Sequence, residues 1–329
     1  MQCYDVFNGD ADGICALVQL RLNDAEIKDA EAADGLEACP DETILVTGVK
    51  RDINLLDRVI AKDGDIITVL DISMRTNADD VRRLLAANAD LFYVDHHNPG
   101  DIPKHRNLHA IIDTRPNICT SLLVDDWLEG AYREWAVVAA FGDNLADAAI
   151  VAARTLDISA DKLTKLKSLG ELINYNAYGR DISDLHFTPK YLYKQCVQYK
   201  TPSAFLSGKP EIFEKLETGY AEDMSRARNC GFVAPGVTIL DDTSWARRIS
   251  GSFGNILAVE NPERAHAVLT HNAEGGYLIS VRPPKNNPHG ADKLCLSFPT
   301  GGGRAAAAGI NHLPKDDLDG FLAAFKTAF

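Results

Sequence analysis

The sequence has 329 residues and a net charge of −13 at pH 7, with 46% hydrophobic and 25% charged residues. At roughly 150 residues per domain, this length predicts about two globular domains. The acidic balance argues against a broad interface with long duplex DNA, because such binding depends on many Lys and Arg contacts with phosphates. A short or small phosphorylated substrate, bound by a local basic patch, is compatible with it.

Location and redox state follow from the N-terminus, the apolar runs and the cysteines. Residues 1–12 contain acidic residues but no basic one, and no stretch reaches the roughly 18 consecutive apolar residues of a membrane span. We therefore expect a cytoplasmic protein that does not bind membranes. Seven cysteines without a C-x-x-C pair argue against a disulfide framework and a cysteine zinc site, and predict reduced core thiols.

The first 150 residues alternate short apolar runs with amphipathic stretches, which is typical of βαβ units and a parallel sheet. The predicted strands are residues 3–7, 44–49, 66–70 and 91–94. Apolar residues at helical spacing predict a helix between the first two strands and another further along. These residues are Ile14, Leu17, Val18 and Leu22, and then Leu55, Leu56, Val59 and Ile60.

The second half of the chain changes character twice. Residues 156–228 are mostly helical in pattern, with breaks before Pro189, Pro202 and Pro210. Beyond Gly231 a new α/β region has predicted strands at 237–240, 267–270 and 277–281 and a closing helix near 318–325. We therefore predict an N-terminal domain over 1–190, a helical connection over 191–228 and a smaller domain over 229–329.

Acidic residues and histidines follow three of the predicted strands. The segments are Asn8-Gly9-Asp10-Ala11-Asp12 after Phe7, Asp71 after Leu70, and Asp95-His96-His97 after Val94. Ligands bind outside the carboxyl ends of parallel strands, so these side chains should meet at one edge of the sheet. Carboxylates brought together raise each other's pKa unless a cation neutralises them. The pattern therefore predicts a metal site.

The donor types indicate which ions would bind. Carboxylate oxygens with an imidazole suit Mn²⁺ or Mg²⁺. Two ions about 3.5 to 4 Å apart could share a bridging carboxylate, for which we choose Asp71, and activate a water for attack on phosphorus. Taken singly, an Asp-x-Asp after a strand is often turn and N-cap chemistry, and a histidine pair is often structural. Three such motifs at successive strand ends favour the metal site.

These residues resemble the motifs of the DHH phosphoesterases. Asp95-His96-His97 after Leu-Phe-Tyr-Val is similar to the signature that names the family, and Asp71 resembles its second motif. The first motif, usually His-x-Asp-x-Asp, is similar to residues 8–12 with Asn8 in place of the histidine. Asp143 best matches the fourth aspartate. The resemblance implies an α/β fold with a parallel-sheet N-terminal domain, a smaller α/β C-terminal domain, and the active site in the cleft between them.

The resemblance also implies a role for each residue. Asp10 and Asp71 should hold one ion, with Asn8 beside them, and a second ion should be held by Asp12, Asp71, His96 and Asp143. Since an amide carbonyl is a weaker ligand than an imidazole, the first ion should bind less tightly. His97 should contact the substrate phosphate or the nucleophilic water, and Asp95 should support the histidines.

Near the C-terminus, Gly301-Gly302-Gly303-Arg304 resembles the glycine motif of the DHH-associated domain, which often reads Gly-Gly-Gly-His. Three glycines before an arginine also predict a loop whose N–H groups can approach an anion beside a guanidinium, although a tight turn with a solvated arginine fits too. Arg282 could add a phosphate or base contact or could be a surface residue. We therefore assign substrate binding to these five residues.

The resemblance implies hydrolysis of phosphodiester bonds in short single-stranded oligonucleotides with two Mn²⁺ ions, as in oligoribonuclease-like and RecJ-like members. The first alternative is a phosphatase or phosphodiesterase for a small nucleotide, such as a cyclic dinucleotide or 3′-phosphoadenosine 5′-phosphate. Inorganic pyrophosphatase is less favoured because members with that activity have a Lys- and Arg-rich C-terminal motif. A nucleotide-binding protein without catalysis is the alternative of another class, prompted by Asn8. A homodimer is left open.

Overall fold

The computed structural model describes residues 1–34 and 43–329. The chain forms two compact units, of which unit 1 comprises Met1–Ala177 and His186–Leu216 and unit 2 comprises Tyr178–Leu185 and Glu217–Phe329. Among the helices of the described residues, none has the length and apolar character that crossing a membrane requires. The predicted domain boundaries at 190 and 228 stay predictions.

Unit 1 is built on a five-stranded parallel sheet. Its strands are β1 (Cys3–Phe7), β2 (Thr43–Val46), β3 (Ile66–Leu70), β4 (Asp90–Asp95) and β5 (Leu108–Ile112). They lie in the order β2-β1-β3-β4-β5, with every neighbouring pair parallel. The predicted parallel α/β fold is therefore confirmed. Strand β5 was not predicted because it is an edge strand that is only partly buried, so its sequence lacks a clear inside-outside pattern.

The helices of unit 1 accompany this sheet. They are α1 (Ala11–Asp34), α2 (Ala78–Ala86), α3 (Thr120–Trp127), α4 (Arg133–Gly142), α5 (Ala146–Ala153), α6 (Ala160–Ala177), α7 (Pro189–Cys196) and α8 (Pro202–Gly208). Helices α7 and α8 begin at their prolines, and the side chains of Thr188 and Thr201 accept the cap hydrogen bonds. The predicted breaks before these prolines are thus confirmed.

The helix expected over residues 55–60 is wrong. Only a short 3-10 helix forms over Leu55–Arg58, and Val59 already has extended backbone angles. Leu55, Leu56 and Val59 are buried, but Ile60 is 78% exposed. So short a segment cannot offset the cost of helix nucleation by itself, and its buried residues pack without completing a helical turn.

Unit 2 contains a second, mixed sheet. Its strands are β6 (Val237–Ile239), β7 (His266–His271), β8 (Tyr277–Arg282), β9 (Gly301–Arg304) and β10 (Ala307–Leu313), in the order β6-β7-β8-β10-β9. The helices of the second half are α9 (Pro210–Asn229), α10 (Ser244–Glu260), α11 (Ala291–Leu296) and α12 (Leu318–Ala328). Phe321 and Phe325 of α12 pack in the core of this sheet. The predicted smaller α/β domain and its closing helix are confirmed.

The glycine loop predicted at residues 301–304 is wrong in its local structure. These residues form strand β9, which pairs antiparallel with β10. A side chain at Gly301 would place its Cβ 1.6 Å from the Cys295 carbonyl oxygen, and Gly303 has a φ of 133°. The glycines therefore serve a close backbone approach and a left-handed conformation within a hairpin.

The six cysteines of the described residues are free thiols, and four of them are buried. Cys39 lies outside the described residues. The predicted core thiols are thus found at the four buried positions.

Candidate metal centre

The predicted site residues follow strands on either side of the point where the strand order reverses. The chain passes from β1 to β2 on one side and then returns to β3 on the other. In open parallel sheets a crevice forms at this point, outside the carboxyl ends of the strands. Asn8 and Asp10 follow β1, Asp71 follows β3 and His96 follows β4. The fold therefore brings the motifs to one edge of the sheet.

Asp71 has an unusual backbone conformation, with a φ of +58°. Aspartate is one of the few non-glycine residues that adopt this left-handed conformation readily. Its N–H donates to the Val94 carbonyl at 3.1 Å, and the Tyr93 hydroxyl donates to the Ile72 carbonyl at 2.6 Å. These bonds hold the turn after β3 so that the Asp71 carboxylate lies 3.4 Å from His96 Nε2.

His96 is buried and has a defined orientation. Its Nδ1 lies 3.0 Å from the Ile118 carbonyl oxygen, so Nδ1 carries the hydrogen and donates. Nε2 then faces three carboxylates, at 3.4 Å from Asp71 Oδ1, 3.8 Å from Asp143 Oδ2 and 3.9 Å from Asp12 Oδ2. This is the arrangement of a histidine that ligates through Nε2.

The Asp12 carboxylate is fixed by the first residues of α3. Its Oδ2 accepts from the Thr120 N–H at 2.8 Å and its Oδ1 from the Ser121 N–H at 2.7 Å. Free amides at a helix N-terminus stabilise a negative charge, and each oxygen keeps a further lone pair. Sequence reasoning missed Thr120 and Ser121, since no motif marks them.

Asp143 directly follows α4. A Cβ at Gly142 would lie 2.5 Å from the Ala11 side chain and 2.8 Å from the Gly170 carbonyl oxygen. Glycine at both positions allows the end of α4 to contact α1 and α6 closely. This approach brings Asp143 to the carboxylates that follow the strands.

These residues fit a divalent ion. Ligand atoms of Asp12, His96 and Asp143 all lie within 4.8 Å of one another, and the same holds for Asp71, His96 and His97. Oxygen donors with an imidazole nitrogen suit Mn²⁺ or Mg²⁺. The site also needs positive charge, because burial, with Asp10 and Asp12 nearby, raises the pKa of Asp71 well above its usual value.

The pKa of His96 also indicates that this site favours a positive charge. Burial lowers the pKa of His96, but the carboxylates of Asp71, Asp12 and Asp143 outweigh burial and raise it to about 10. The metal-free site therefore holds a proton on this imidazole that a divalent cation would replace.

Asp10 has different partners from the other acids. Its Oδ1 accepts from the N–H groups of Asp12 and Gly13, and its Oδ2 lies 2.6 Å from Lys50 Nζ. Burial raises the pKa of Asp10, but the Lys50 ammonium, together with hydrogen bonds from the Gly13 N–H and the Asp71 side chain, outweighs burial, so the net shift is downward. Sequence reasoning missed Lys50 and Asn174, which contacts Lys50. The signal for Lys50 was present, because it directly follows the predicted strand 44–49.

Two further predicted site residues, Asn8 and His97, follow strands β1 and β4. The Asn8 amide nitrogen donates to the Lys50 carbonyl at 3.3 Å, while its buried Oδ1 has no hydrogen-bond partner among the described residues. Asp95 Oδ1 lies 2.8 Å from His97 Nδ1, and the His97 side chain is 44% exposed. The predicted roles of these residues stay predictions.

The residues assigned to substrate binding lie in unit 2. Arg304 is exposed at the end of β9. The Arg282 guanidinium donates to Asn255 Oδ1 at 2.7 Å and to Ser280 Oγ at 3.0 Å, so it already has partners within the unit. Substrate binding by either arginine stays a prediction.

No protein-family model matches the sequence, and no curated protein matches it either. Solved structures do. The exonuclease RecJ bound to manganese has 15% identity and a TM-score of 0.56 over 99% of this chain and 88% of that one. The pGpG-specific phosphodiesterase PggH from Vibrio cholerae has 16% identity and a TM-score of 0.55 over the whole of both chains.

RecJ from Thermus thermophilus in complex with Mn²⁺ has 15% identity and a TM-score of 0.60, over 99% of this chain and 51% of that one. This chain thus spans about half the length of that RecJ. These neighbours belong to the DHH superfamily. The DHH fold predicted from the motifs is therefore confirmed.

Proposed function

We propose that this chain is a divalent-metal-dependent hydrolase that cleaves phosphodiester bonds in short oligonucleotides or nucleotides. The observation that carries the proposal is the convergence of Asp12, Asp71, His96 and Asp143 where the strand order of a DHH-type sheet reverses. The names of two neighbours, an exonuclease bound to manganese and a pGpG-specific phosphodiesterase, support this choice of reaction and of Mn²⁺.

Each side chain has a distinct task in this reaction. An ion bound by these four residues would polarise a phosphoryl oxygen and lower the pKa of a water molecule. The amides of α3 hold Asp12, and the Ile118 carbonyl orients His96. Because Nδ1 of His97 is engaged with Asp95, its other ring nitrogen is left for an oxygen of the substrate.

The sequence motif predicts two ions with Asp71 as their bridge. The contacts support an ion at Asp12, His96 and Asp143, with Asp71 Oδ1 3.4 Å from the same His96 nitrogen, whereas Asp10 contacts Lys50. The net charge of −13 favours a short substrate over a long duplex.

The test is hydrolysis by the full chain after metal removal and after reconstitution with Mn²⁺ or Mg²⁺. The substrates are dinucleotides to decanucleotides, cyclic dinucleotides, 3′-phosphoadenosine 5′-phosphate and pyrophosphate. We expect chelation to abolish cleavage of short phosphodiesters and Mn²⁺ to restore it. Full cleavage by the metal-free chain would refute metal dependence. Ion and nucleotide binding without turnover of any substrate would identify a binding protein instead.

A further inference from the structure

We propose that the ammonium group of Lys50 is a permanent cation of this site, standing beside Asp10 where the two-ion scheme would place a second metal. The chain would then bind one divalent ion. This inference depends on the proposed metal-dependent function and concerns the number and identity of its positive charges.

Lys50 contacts the kind of oxygen atoms that bind hard metal ions. Its Nζ lies 2.6 Å from Asp10 Oδ2, 3.0 Å from Asn174 Oδ1 and 3.3 Å from Asp143 Oδ1. An ammonium has three protons and no acceptor, so three oxygens match its donors. Two carboxylates and an amide carbonyl are also the donor types that Mn²⁺ and Mg²⁺ prefer. The lysine thus takes the place of an ion in an oxygen-lined site.

The backbone around Lys50 is fixed. The Lys50 N–H donates to the Ala177 carbonyl at 2.9 Å, and the Asn8 amide donates to the Lys50 carbonyl at 3.3 Å. A Cβ at Gly9 would lie 1.9 Å from the Gly48 carbonyl oxygen, so the segments after β1 and β2 lie directly against each other. The lysine side chain is only 23% exposed. These contacts distinguish Lys50 from a mobile surface lysine.

Asp10 is occupied by these contacts. One of its oxygens accepts two backbone N–H groups and the other contacts the ammonium. Within the described ranges, the groups of acids and histidines whose ligand atoms lie close enough to share an ion do not include Asp10. They form two overlapping groups that share His96, namely Asp12, His96 and Asp143, and Asp71, His96 and His97. The carboxylate of Asp10, which contacts Lys50, therefore lies outside both groups that could hold an ion, and these two groups share His96.

The positive charge of Lys50 also supports one divalent ion rather than two. The two kinds of cation share Asp143, which offers Oδ1 to Lys50 and Oδ2 toward His96. A second divalent ion at Asp10 would lie within contact distance of the ammonium, and like charges at that distance repel strongly in a buried site. It could bind only if Lys50 moved away or lost its proton.

The test is Mn²⁺ titration of the metal-stripped full chain by calorimetry, with electron paramagnetic resonance on the loaded protein. We expect one ion per chain and the spectrum of isolated Mn²⁺. Lys50→Met should create a second, weaker site and bring the spectrum of a coupled pair. Lys62→Met is the control, since Lys62 is exposed and precedes β3 at the opposite end of the sheet. It should keep one ion.

Two bound ions with a coupled spectrum in the unmodified chain would overturn the proposal, as would a folded Lys50→Met that still binds one ion. The first measurement needs no variant, so it decides even if Lys50→Met does not fold. Metal-dependent hydrolysis with two ions would refute only the role of Lys50. Binding of no ion would refute the proposed function as well.

Discussion

Asp71→Asn tests separately how the Asp71 charge affects the stability of the metal-free protein and how it affects metal binding and activity. Asparagine tolerates the φ of +58° and keeps the shape of the side chain, but it removes the charge. In the metal-free protein Asp71 is buried near Asp10 and Asp12, and its pKa is well above the usual value. An acid whose pKa is raised by folding contributes stability below its unfolded pKa, and that stability is lost as pH rises through the folded pKa.

At pH 8 the variant should therefore be more stable than the unmodified chain when both lack metal. A gain of about 1 kcal/mol raises Tm by roughly 2 to 4 °C in a domain of this size. Metal affinity should change in the opposite sense. Loss of a residue that supports a metal ligand typically lowers metal affinity about 10- to 100-fold. Loss of a charged ligand should lower it at least as much, which corresponds to about 1.4 to 2.7 kcal/mol of binding free energy. The value of kcat/KM should fall by a factor at least as large.

The assay is thermal unfolding with and without Mn²⁺, followed by Mn²⁺-dependent hydrolysis. Asp79→Asn is the control, because the Asp79 side chain is 99% exposed. Asp71→Ala should be more damaging than Asp71→Asn, since alanine in a left-handed conformation costs about 1 kcal/mol more. If Asp71→Asn keeps full activity and the same metal-induced rise in Tm, Asp71 is not a ligand.

Three further predictions concern His96, Arg304 and Asn8. Mn²⁺ binding at pH 8 should release protons from the site, because the pKa of His96 is raised to about 10 and that of Asp71 is raised well above its usual value, so affinity should increase with pH. Calorimetry in buffers of different ionisation enthalpy measures this release, and no release would contradict the assignment. Arg304→Ala should raise KM by the equivalent of about 1.5 to 3 kcal/mol, and the Mn²⁺ affinity measured by calorimetry should stay unchanged. Unaltered kinetics would show that Arg304 is a solvated residue without a role in substrate binding. The double variant Asn8→His with Lys50→Met should bind the second Mn²⁺ more tightly than the Lys50→Met variant, because imidazole is a better ligand than an amide. Equal affinities of the two variants would show that position 8 lies too far from that ion.

The sequence was most informative about unit 1, because a parallel sheet buries both faces of its strands. Strands β1 and β3 have the predicted bounds, and the residues that follow them were found by the rule that ligands gather at the carboxyl ends. The pattern was less informative at the edges of the sheets. Strand β5 is only partly buried, and the glycines of β9 have no side chains that could show an alternation.

The partners of each carboxylate could not be read from the sequence, since they depend on where loops meet. An Asp-x-Asp after a strand is compatible with helix capping and with metal binding. In the structure the two aspartates divide these tasks, because Asp10 caps α1 and contacts Lys50, while Asp12 lies beside His96 and Asp143. The segment after β2 places Lys50 against Asp10, and Gly48 of that segment lies in close contact with Gly9.

That contact connects Asn8 and Lys50, the two residues on which the one-ion proposal depends. The segment after β2 places Lys50 against Asp10, and the Lys50 carbonyl accepts a hydrogen bond from the Asn8 amide. A neutral imidazole at position 8 could donate to that carbonyl through one nitrogen, but its other nitrogen would offer a lone pair to a metal ion at Asp10. Asparagine instead offers the ion only a weaker amide oxygen. Under the one-ion proposal Asn8 and Lys50 act in the same direction, since one would weaken metal binding at Asp10 and the other would supply the charge that the metal would have brought.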